Sequence, residues 1–389
     1  MYESLNFELD QLKQKNLYRN LKKIDQREGP RIKIKNRWLI DFSSNDYLGL
    51  SQNTLISQSI IDGLKKYGNG ACASHLISGH FCVHDELEKI SAKNIGLEKS
   101  LYFTSGYLAN LSLMTSIAQK DHHIFMDRLN HASLNQGALY SKAKFSRFRH
   151  LDYKHLESLL KKKSALTRWI VTDGVFSMDG DMAYIPELLR LCKKFDAYLY
   201  IDDAHGFGLL GSSGQGIIEH FLEKKLIAKE DLKRVIYLYT LGKSAGVSGA
   251  LLNGKREIID FMIQKAKPYI YSTATSPAII EGLITSLTII KKTPELRKKL
   301  NELIFFFRST FKHKERMKNS NTAIQPIIIG SEKEVLEISS ILEQEGFFVP
   351  AIRPPTVEAG LSRLRVSISA IHNESEIAKL INVLNKVLT

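Results

Sequence analysis

From about residue 84 the chain alternates between short apolar runs and longer stretches with apolar residues at helical spacing. Leu101–Thr104, Ile124–Met126, Trp169–Thr172, Tyr198–Ile201 and Val235–Tyr239 are runs of strand length. Between and around them, 84–95, 107–117, 131–141 and 186–195 read as helices. Such alternation predicts an α/β fold with a large, mostly parallel sheet covered by helices. Ahead of it, 4–24 reads as a helix carrying Leu5, Leu9, Leu12 and Leu17, followed by a short strand at Arg37–Phe42 and a turn at Asn45–Gly49. The character changes after Pro268. A helical stretch over 276–318 leads to strand Ile327–Ile329, helix 332–345, strands Phe347–Val349 and Leu364–Ile368, and a last helix from 373. This predicts three parts: an N-terminal helix and strand segment (1–45), a large α/β domain (46–267) and a smaller C-terminal α+β domain (268–389).

Composition narrows the class. Hydrophobic residues at 43% and charged residues at 25% describe an ordinary globular chain. No apolar run approaches the roughly 20 residues of a membrane helix. Met1–Lys15 carries Glu3, Glu8 and Asp10 and does not read as a secretory signal, so a cytoplasmic protein is expected. Three cysteines, Cys72, Cys82 and Cys192, suit a reducing compartment and no disulfide framework. The net charge of +14 comes largely from scattered lysines such as Lys161-Lys162-Lys163. A soluble surface accounts for it, and an acidic partner remains open.

In folds of this kind ligands bind at the carboxyl ends of the strands, and the chemical candidates gather there. Lys243 follows Val235–Tyr239 in Thr240-Leu241-Gly242-Lys243-Ser244-Ala245-Gly246. By itself it reads equally as a solvated loop-tip lysine or as a cleft lysine able to lose its proton and attack an aldehyde. Asp202-Asp203-Ala204-His205 follows Tyr198–Ile201. Strand side chains alternate faces, so only one of the two aspartates is expected to reach a ligand ring; a loop-capping pair is the other reading. Ser105-Gly106, before a helix, reads as an N-cap that could also put backbone N–H groups on a phosphate. Three patterns are set aside. Gly206–Gly211 has the dinucleotide spacing, but loop residues Ser212–Gly216 follow where a helix should open. Cys72, His75, His80, Cys82 and His84 fit no zinc spacing, so no metal is expected. Lys144–Arg149 interleaves basic and aromatic residues as a single-strand platform would, yet reads better as an amphipathic strand, with no nucleic acid bound.

Taken together, these pieces resemble the α-oxoamine synthases, a branch of the fold-type I pyridoxal-phosphate (PLP) enzymes, over nearly the whole chain. The resemblance rests on Asp41-Phe42-Ser43-Ser44-Asn45-Asp46-Tyr47-Leu48-Gly49-Leu50, on Asn130-His131-Ala132-Ser133, on Asp173-Gly174-Val175-Phe176-Ser177-Met178-Asp179-Gly180-Asp181, and on Asp202-Asp203-Ala204-His205-Gly206. It implies the fold-type I PLP-dependent transferase fold, with pyridoxal 5′-phosphate held as a Schiff base on Lys243. It also implies His131 stacked on the pyridine ring, Asp202 facing the ring nitrogen, Ser177 and His205 on the phenolate oxygen, and Gly106, Tyr107 and Thr240 at the phosphate. Ser272 and Thr273 would reach the phosphate of a partner in a homodimer. Asn45 and Arg365 would serve the amino acid, Arg365 pairing with its carboxylate. Arg353 and Thr356 would lie near the acyl chain, and Arg19 at the substrate mouth.

Within the branch, Ala351-Ile352-Arg353-Pro354-Pro355-Thr356-Val357 points to the members of biotin synthesis. These condense L-alanine with a pimeloyl thioester, on acyl carrier protein (ACP) or CoA, with loss of carbon dioxide. Lys243, His131, Asp202 and His205 would be the catalytic set. Rival readings are a sister synthase using glycine, such as glycine C-acetyltransferase or 5-aminolevulinate synthase; a sphingoid-type acyltransferase; and a basic nucleic-acid module with a dead cofactor site. The chain departs from many relatives at Gly68-Asn69-Gly70-Ala71-Cys72-Ala73-Ser74-His75. Cys72 and His75 stand in a stretch that is glycine-rich elsewhere, which bears on acyl specificity.

Overall fold

The computed structural model describes residues 1–388. Two compact units emerge. The larger spans Leu50–Phe176 and Met182–Arg297; the smaller joins Met1–Gly49, Ser177–Asp181 and the chain from Lys298.

Among the described residues, the large unit holds a seven-stranded sheet in the order Lys99–Phe103, Ala250–Gly254, Val235–Thr240, Ala197–Asp202, Thr167–Asp173, His122–Asp127, Lys144–Phe148. Ala250–Gly254 is antiparallel to both neighbours and the remaining pairs are parallel. The predicted mostly parallel sheet is therefore present. The strands read from the sequence all form, and Lys144–Phe148 is the amphipathic edge strand expected there. Ala250–Gly254 lies outside the strands expected from the sequence. One sheet face is covered by helices Gly106–Ile117, Ala132–Tyr140 and Arg256–Lys265, whose Leu113, Leu134 and Met262 join Met126, Val171 and Leu238 in a single buried cluster. Central strands buried on both faces are continuous apolar runs, which made them legible.

Helix Thr54–Tyr67, also missed, packs on Pro277–Lys292. The approach is close: a Cβ on Gly63 would sit 2.7 Å from Ala278 Cα, and one on Gly282 2.5 Å from Ile60 Cγ1. Asn53 starts the first of these helices by accepting from the N–H groups of Leu55 and Ile56. The helix expected over 276–318 is two helices, Pro277–Lys292 and Pro294–Thr310, because Pro294 cannot continue the first.

In the small unit, helix Tyr2–Gln14 stops ten residues short of the expected 24 and buries no residue. Gln26–Glu28, Arg31–Ile34 and Arg37–Asp41 form an antiparallel run, and Phe347–Phe348 adds to it in parallel. Lys35 and Asn36, both at positive φ, make the two-residue turn between the second and third strands. Their side chains are not the Asn-Gly signal of such turns, and this hairpin went unread. A second sheet orders Ile324–Gly330, Ser362–Ser367 and Ala351–Ile352. Helix Glu374–Val387 begins with a reciprocal Asn373–Glu376 cap. No described helix is long and apolar enough to cross a membrane.

Candidate active site

In the large unit, register sets Asp173 beside Asp202 at adjoining strand ends. Both are buried. Asp202 accepts from Asn110 Nδ2 at 2.6 Å and from the Ala204 N–H at 3.1 Å. Asp173 accepts from the His131 N–H at 3.1 Å. Burial holds the Asp173 carboxyl well above the usual carboxylate range, and the Asp202 charge pushes it the same way. Asp203 turns elsewhere, accepting from Tyr237 Oη at 2.6 Å and the Ile217 N–H at 2.7 Å. Burial raises it to about 7 despite those donors. Gly174, Gly206 and Gly216 close on its carboxylate so tightly that a Cβ on any of them would meet an Asp203 oxygen within 2.4 Å. Asp203 thus packs the loop; Asp202 faces Asn110.

Asn110 Nδ2 also donates to Ser133 Oγ at 2.7 Å, and that hydroxyl lies 2.7 Å from His131 Nδ1. The Tyr200 hydroxyl donates to Asn110 Oδ1. His131 precedes helix Ala132–Tyr140, with Tyr107 edge-on to its ring at 6.5 Å. Although the residue stays exposed, desolvation of its ring lowers its pKa, Asp202 opposing and Lys243 assisting. Lys243 Nζ lies 3.1 Å from Nε2 of buried His205. Its loop is closed by Gly246 N–H to Lys243 carbonyl at 2.9 Å and Val247 N–H to Leu241 carbonyl at 3.0 Å. Lys243 is therefore a half-buried cleft lysine rather than a loop tip.

Thr240 ends its strand in register with Ala250, which pairs in turn with Phe103. This brings Thr240 against Gly106, where a Cβ would fall 2.5 Å from Thr240 Cγ2. Thr240 Oγ1 is buried without a hydrogen-bond partner. Ser105 caps the helix through the Leu108 N–H. Helix geometry gives the first N–H groups, those of Gly106 and Tyr107, no acceptor within the helix. A hydroxyl and a helix N-terminus together make a place for an anion. Ser272 and Thr273 lie beside the departing segment: Thr273 bridges Ser74, and the Ala274 N–H donates to the Ala73 carbonyl.

In the small unit, Arg363 and Arg365 lie two apart on one strand, both buried. Arg363 pairs with Asp179. The acceptors of Arg365 are neutral: the Ser177 carbonyl at 2.6 Å, Ser367 Oγ at 2.9 Å, Asn45 Oδ1 at 3.1 Å and Tyr47 Oη at 3.2 Å. Four of its five N–H groups are thereby aligned. Arg353 donates to the carbonyls of Asn16 and Tyr18, Arg19 donates to the Pro354 carbonyl at 3.0 Å, and the Thr356 N–H meets the Arg353 carbonyl at 3.1 Å. Residues 16–19 and 353–356 clasp one another.

Sequence reasoning gave no role to Asn110, Tyr200, Asp173 or Tyr47. The available signal for Asn110 was an amide one turn after Gly106 in a mostly apolar helix. The patterns set aside have structural accounts. Gly206–Gly211 lies in turns, and a helix opens only at Ile217. His75, His80 and His84 do cluster, with His75 Nδ1 2.9 Å from His80 Nδ1. Both nitrogens of His84 are committed to main chain, at Phe81 N–H and Thr275 carbonyl.

The family model for aminotransferase class I and II matches residues 37–384. An 8-amino-7-oxononanoate synthase of Nitrosomonas eutropha is 43% identical over 96% of this chain and 95% of its own length. One from Methylobacillus flagellatus is 40% identical over 100% and 96%. Among solved structures, a serine palmitoyltransferase from S. paucimobilis with a bound PLP–myriocin aldimine superposes with a TM-score of 0.90, at 23% identity over 99% of this chain and 97% of that one. An 8-amino-7-oxononanoate synthase from Francisella tularensis superposes with a TM-score of 0.78, at 28% identity over 90% and 98%.

Proposed function

We propose a function from the premise that this chain belongs to the aminotransferase class I and II family and, within it, to the PLP-dependent 8-amino-7-oxononanoate synthases. It condenses L-alanine with a pimeloyl thioester, releasing carbon dioxide and the carrier thiol and forming 8-amino-7-oxononanoate for biotin synthesis. The observation that carries this reading is the set of strand-end groups in the large unit: Lys243 beside His205, Asp202 held by Asn110, and Thr240 against the Gly106 helix start.

These residues fit pyridoxal 5′-phosphate. The partnerless Thr240 hydroxyl and the N–H groups of Gly106 and Tyr107 suit its phosphate. Asp202 suits a protonated ring nitrogen, and His205, with Ser177, the phenolate oxygen. His131 suits the ring face. When bound, the cofactor supplies an aldehyde that captures an amine and a pyridinium ring that spreads negative charge from the adjoining carbon. Lys243 anchors it, then takes the proton from the α-carbon of alanine and later returns one. His205 Nε2, at 3.1 Å, steers the Lys243 amine. Asp202 keeps the ring nitrogen protonated. Arg365, aligned by Asn45, Tyr47 and the Ser177 carbonyl, receives the alanine carboxylate. A two-pronged grip uses its remaining N–H together with one now held by Asn45 or Tyr47. Arg353, Thr356 and Arg19 shape the acyl approach through the clasp on residues 16–19.

The protein works as a cytoplasmic homodimer, Ser272 and Thr273 serving the partner's phosphate. Three unpaired cysteines support the reducing compartment. The net charge of +14 supports an acidic carrier as acyl donor. Turnover of L-alanine with pimeloyl-CoA and with pimeloyl-ACP, against glycine and L-serine as competitors and with the product identified by mass, tests the reading. The expected result is 8-amino-7-oxononanoate from alanine, with the ACP thioester favoured at low salt. A cofactor-loaded protein that turns over glycine or serine instead refutes the reading.

A further inference from the structure

We propose that Asn110 is a positioning residue that sets both groups meeting the cofactor ring: the carboxylate at its nitrogen and the imidazole on its face. The proposal rests on the large unit being a pyridoxal-phosphate site. Asn110 is 1% exposed, and each hydrogen of its Nδ2 has an acceptor, Asp202 Oδ2 at 2.6 Å and Ser133 Oγ at 2.7 Å. Ser133 Oγ lies 2.7 Å from His131 Nδ1. One amide therefore touches the carboxylate directly and the imidazole through a single hydroxyl. The Tyr200 hydroxyl fixes which way the amide points. It donates to Oδ1, and burial together with Asp202 and Asp173 holds its pKa well above the ordinary phenol value, so it stays a donor. A reversed amide would set its oxygen against the Asp202 carboxylate.

The Asn110 bond fixes the direction in which Asp202 presents its carboxylate, and the Ser133 hydroxyl does the same for the His131 ring. The bond is needed because the carboxylate is crowded: Asp173 ends the adjoining strand, Asp203 follows Asp202 in the chain, and Tyr200 precedes it on the same strand. Without the amide, both the carboxylate and the imidazole would lose their common anchor.

The test strips the cofactor, titrates pyridoxal phosphate back by absorbance, and records its dissociation constant together with the visible circular dichroism of the bound ring. Asn110→Ala is expected to weaken binding about 10–100-fold, the worth of a charge-assisted hydrogen bond. It should also reduce the visible dichroic band, because the groups that fix the ring lose their common anchor. Tyr200→Phe keeps the buried volume and frees the amide; the same spectral change at about threefold weaker binding is expected. It decides the matter if Asn110→Ala does not fold. Ser133→Ala should weaken binding by about threefold with a smaller spectral change, since the Asp202 contact stays. A weakening that leaves the visible dichroism unchanged in Asn110→Ala and Tyr200→Phe marks a merely structural role and overturns the proposal. So do variants that match the wild type. A wild type that binds no pyridoxal phosphate overturns the functional reading and this proposal with it; variants that match a cofactor-binding wild type overturn this proposal alone.

Discussion

The strand ends of the large unit and the Arg365 neighbourhood of the small unit hold buried charge in the same manner with opposite sign. Asp202 is aligned by an amide and a backbone N–H, Arg365 by a carbonyl, two hydroxyls and an amide. Each group is oriented by neutral dipoles, which leaves its charge for a ligand to answer. Close neighbours show two alternatives. Arg363 is matched inside the protein by Asp179. Asp203 is held by dipoles too, from Tyr237 and Ile217, but Gly174, Gly206 and Gly216 close on its carboxylate. The difference separates the groups proposed to meet a ligand from structural ones. A buried charge with its own counter-ion, or a carboxyl walled in by backbone, is finished; a charge held only by dipoles is set up for an incoming charge.

That contrast can be broken at five residues. Lys243→Ala removes the proposed anchor and proton carrier, so kcat with L-alanine and pimeloyl-CoA should fall more than about 10⁴-fold, beyond the loss of a general base alone. A residual rate within about 100-fold of wild type ends its role. Asp202→Asn should lower kcat about 10³-fold, being a lost charge on the ring nitrogen. Asp203→Asn should stay within about threefold; equal defects would dissolve the distinction between the two aspartates. Arg365→Ala should raise the alanine KM about 100-fold with the visible cofactor band unchanged, and Arg365→Lys should recover only part of it. Arg363→Ala should instead lower the melting temperature, because Asp179 is left buried and unpaired at a cost of about 3–5 kcal/mol. A KM effect from Arg363 and a stability effect from Arg365 would invert the assignment.

The smallest effect concerns pH. Burial lifts Asp203 from 3.8 to about 7, so the folded state keeps a proton that the unfolded chain has lost. Stability from this group is greatest below about pH 4 and declines as pH rises toward 7. Asp203→Asn should therefore gain on the wild type in melting temperature as pH rises through that window. A constant difference refutes the assignment.

Much of this was legible in the residues because the chemistry follows strands buried on both faces. Val235–Thr240 and Ala197–Asp202 announce themselves as apolar runs; Asp202 ends one of them, and His205 and Lys243 stand just beyond. What escaped has physical reasons. Asn110 sits inside a helix, where a buried amide looks like any polar interruption until its partners, Tyr200 and Ser133, are brought to it from distant segments. The Lys35-Asn36 turn lacks glycine. Helix Thr54–Tyr67 leaves much of its apolar surface exposed and buries chiefly Ile56 and Gly63, so its pattern is weak. The clasp of Arg353 on residues 16–19 joins segments more than three hundred positions apart, a distance no local pattern spans.

The parallel pairing of Arg37–Asp41 with Phe347–Phe348 has a consequence for biosynthesis. On the ribosome the early strand is made long before its partner, and at about 5–20 residues per second it waits roughly 15–60 s. Throughout that interval Arg37–Asp41 presents one open edge, while Leu50–Arg297, the span of the large unit, can already be folding. The small unit is completed last although its residues come first. The nascent chain thus carries a sticky edge for most of its synthesis, and this is the stage at which crowding, slow codons or scarce chaperones would divert it to aggregates.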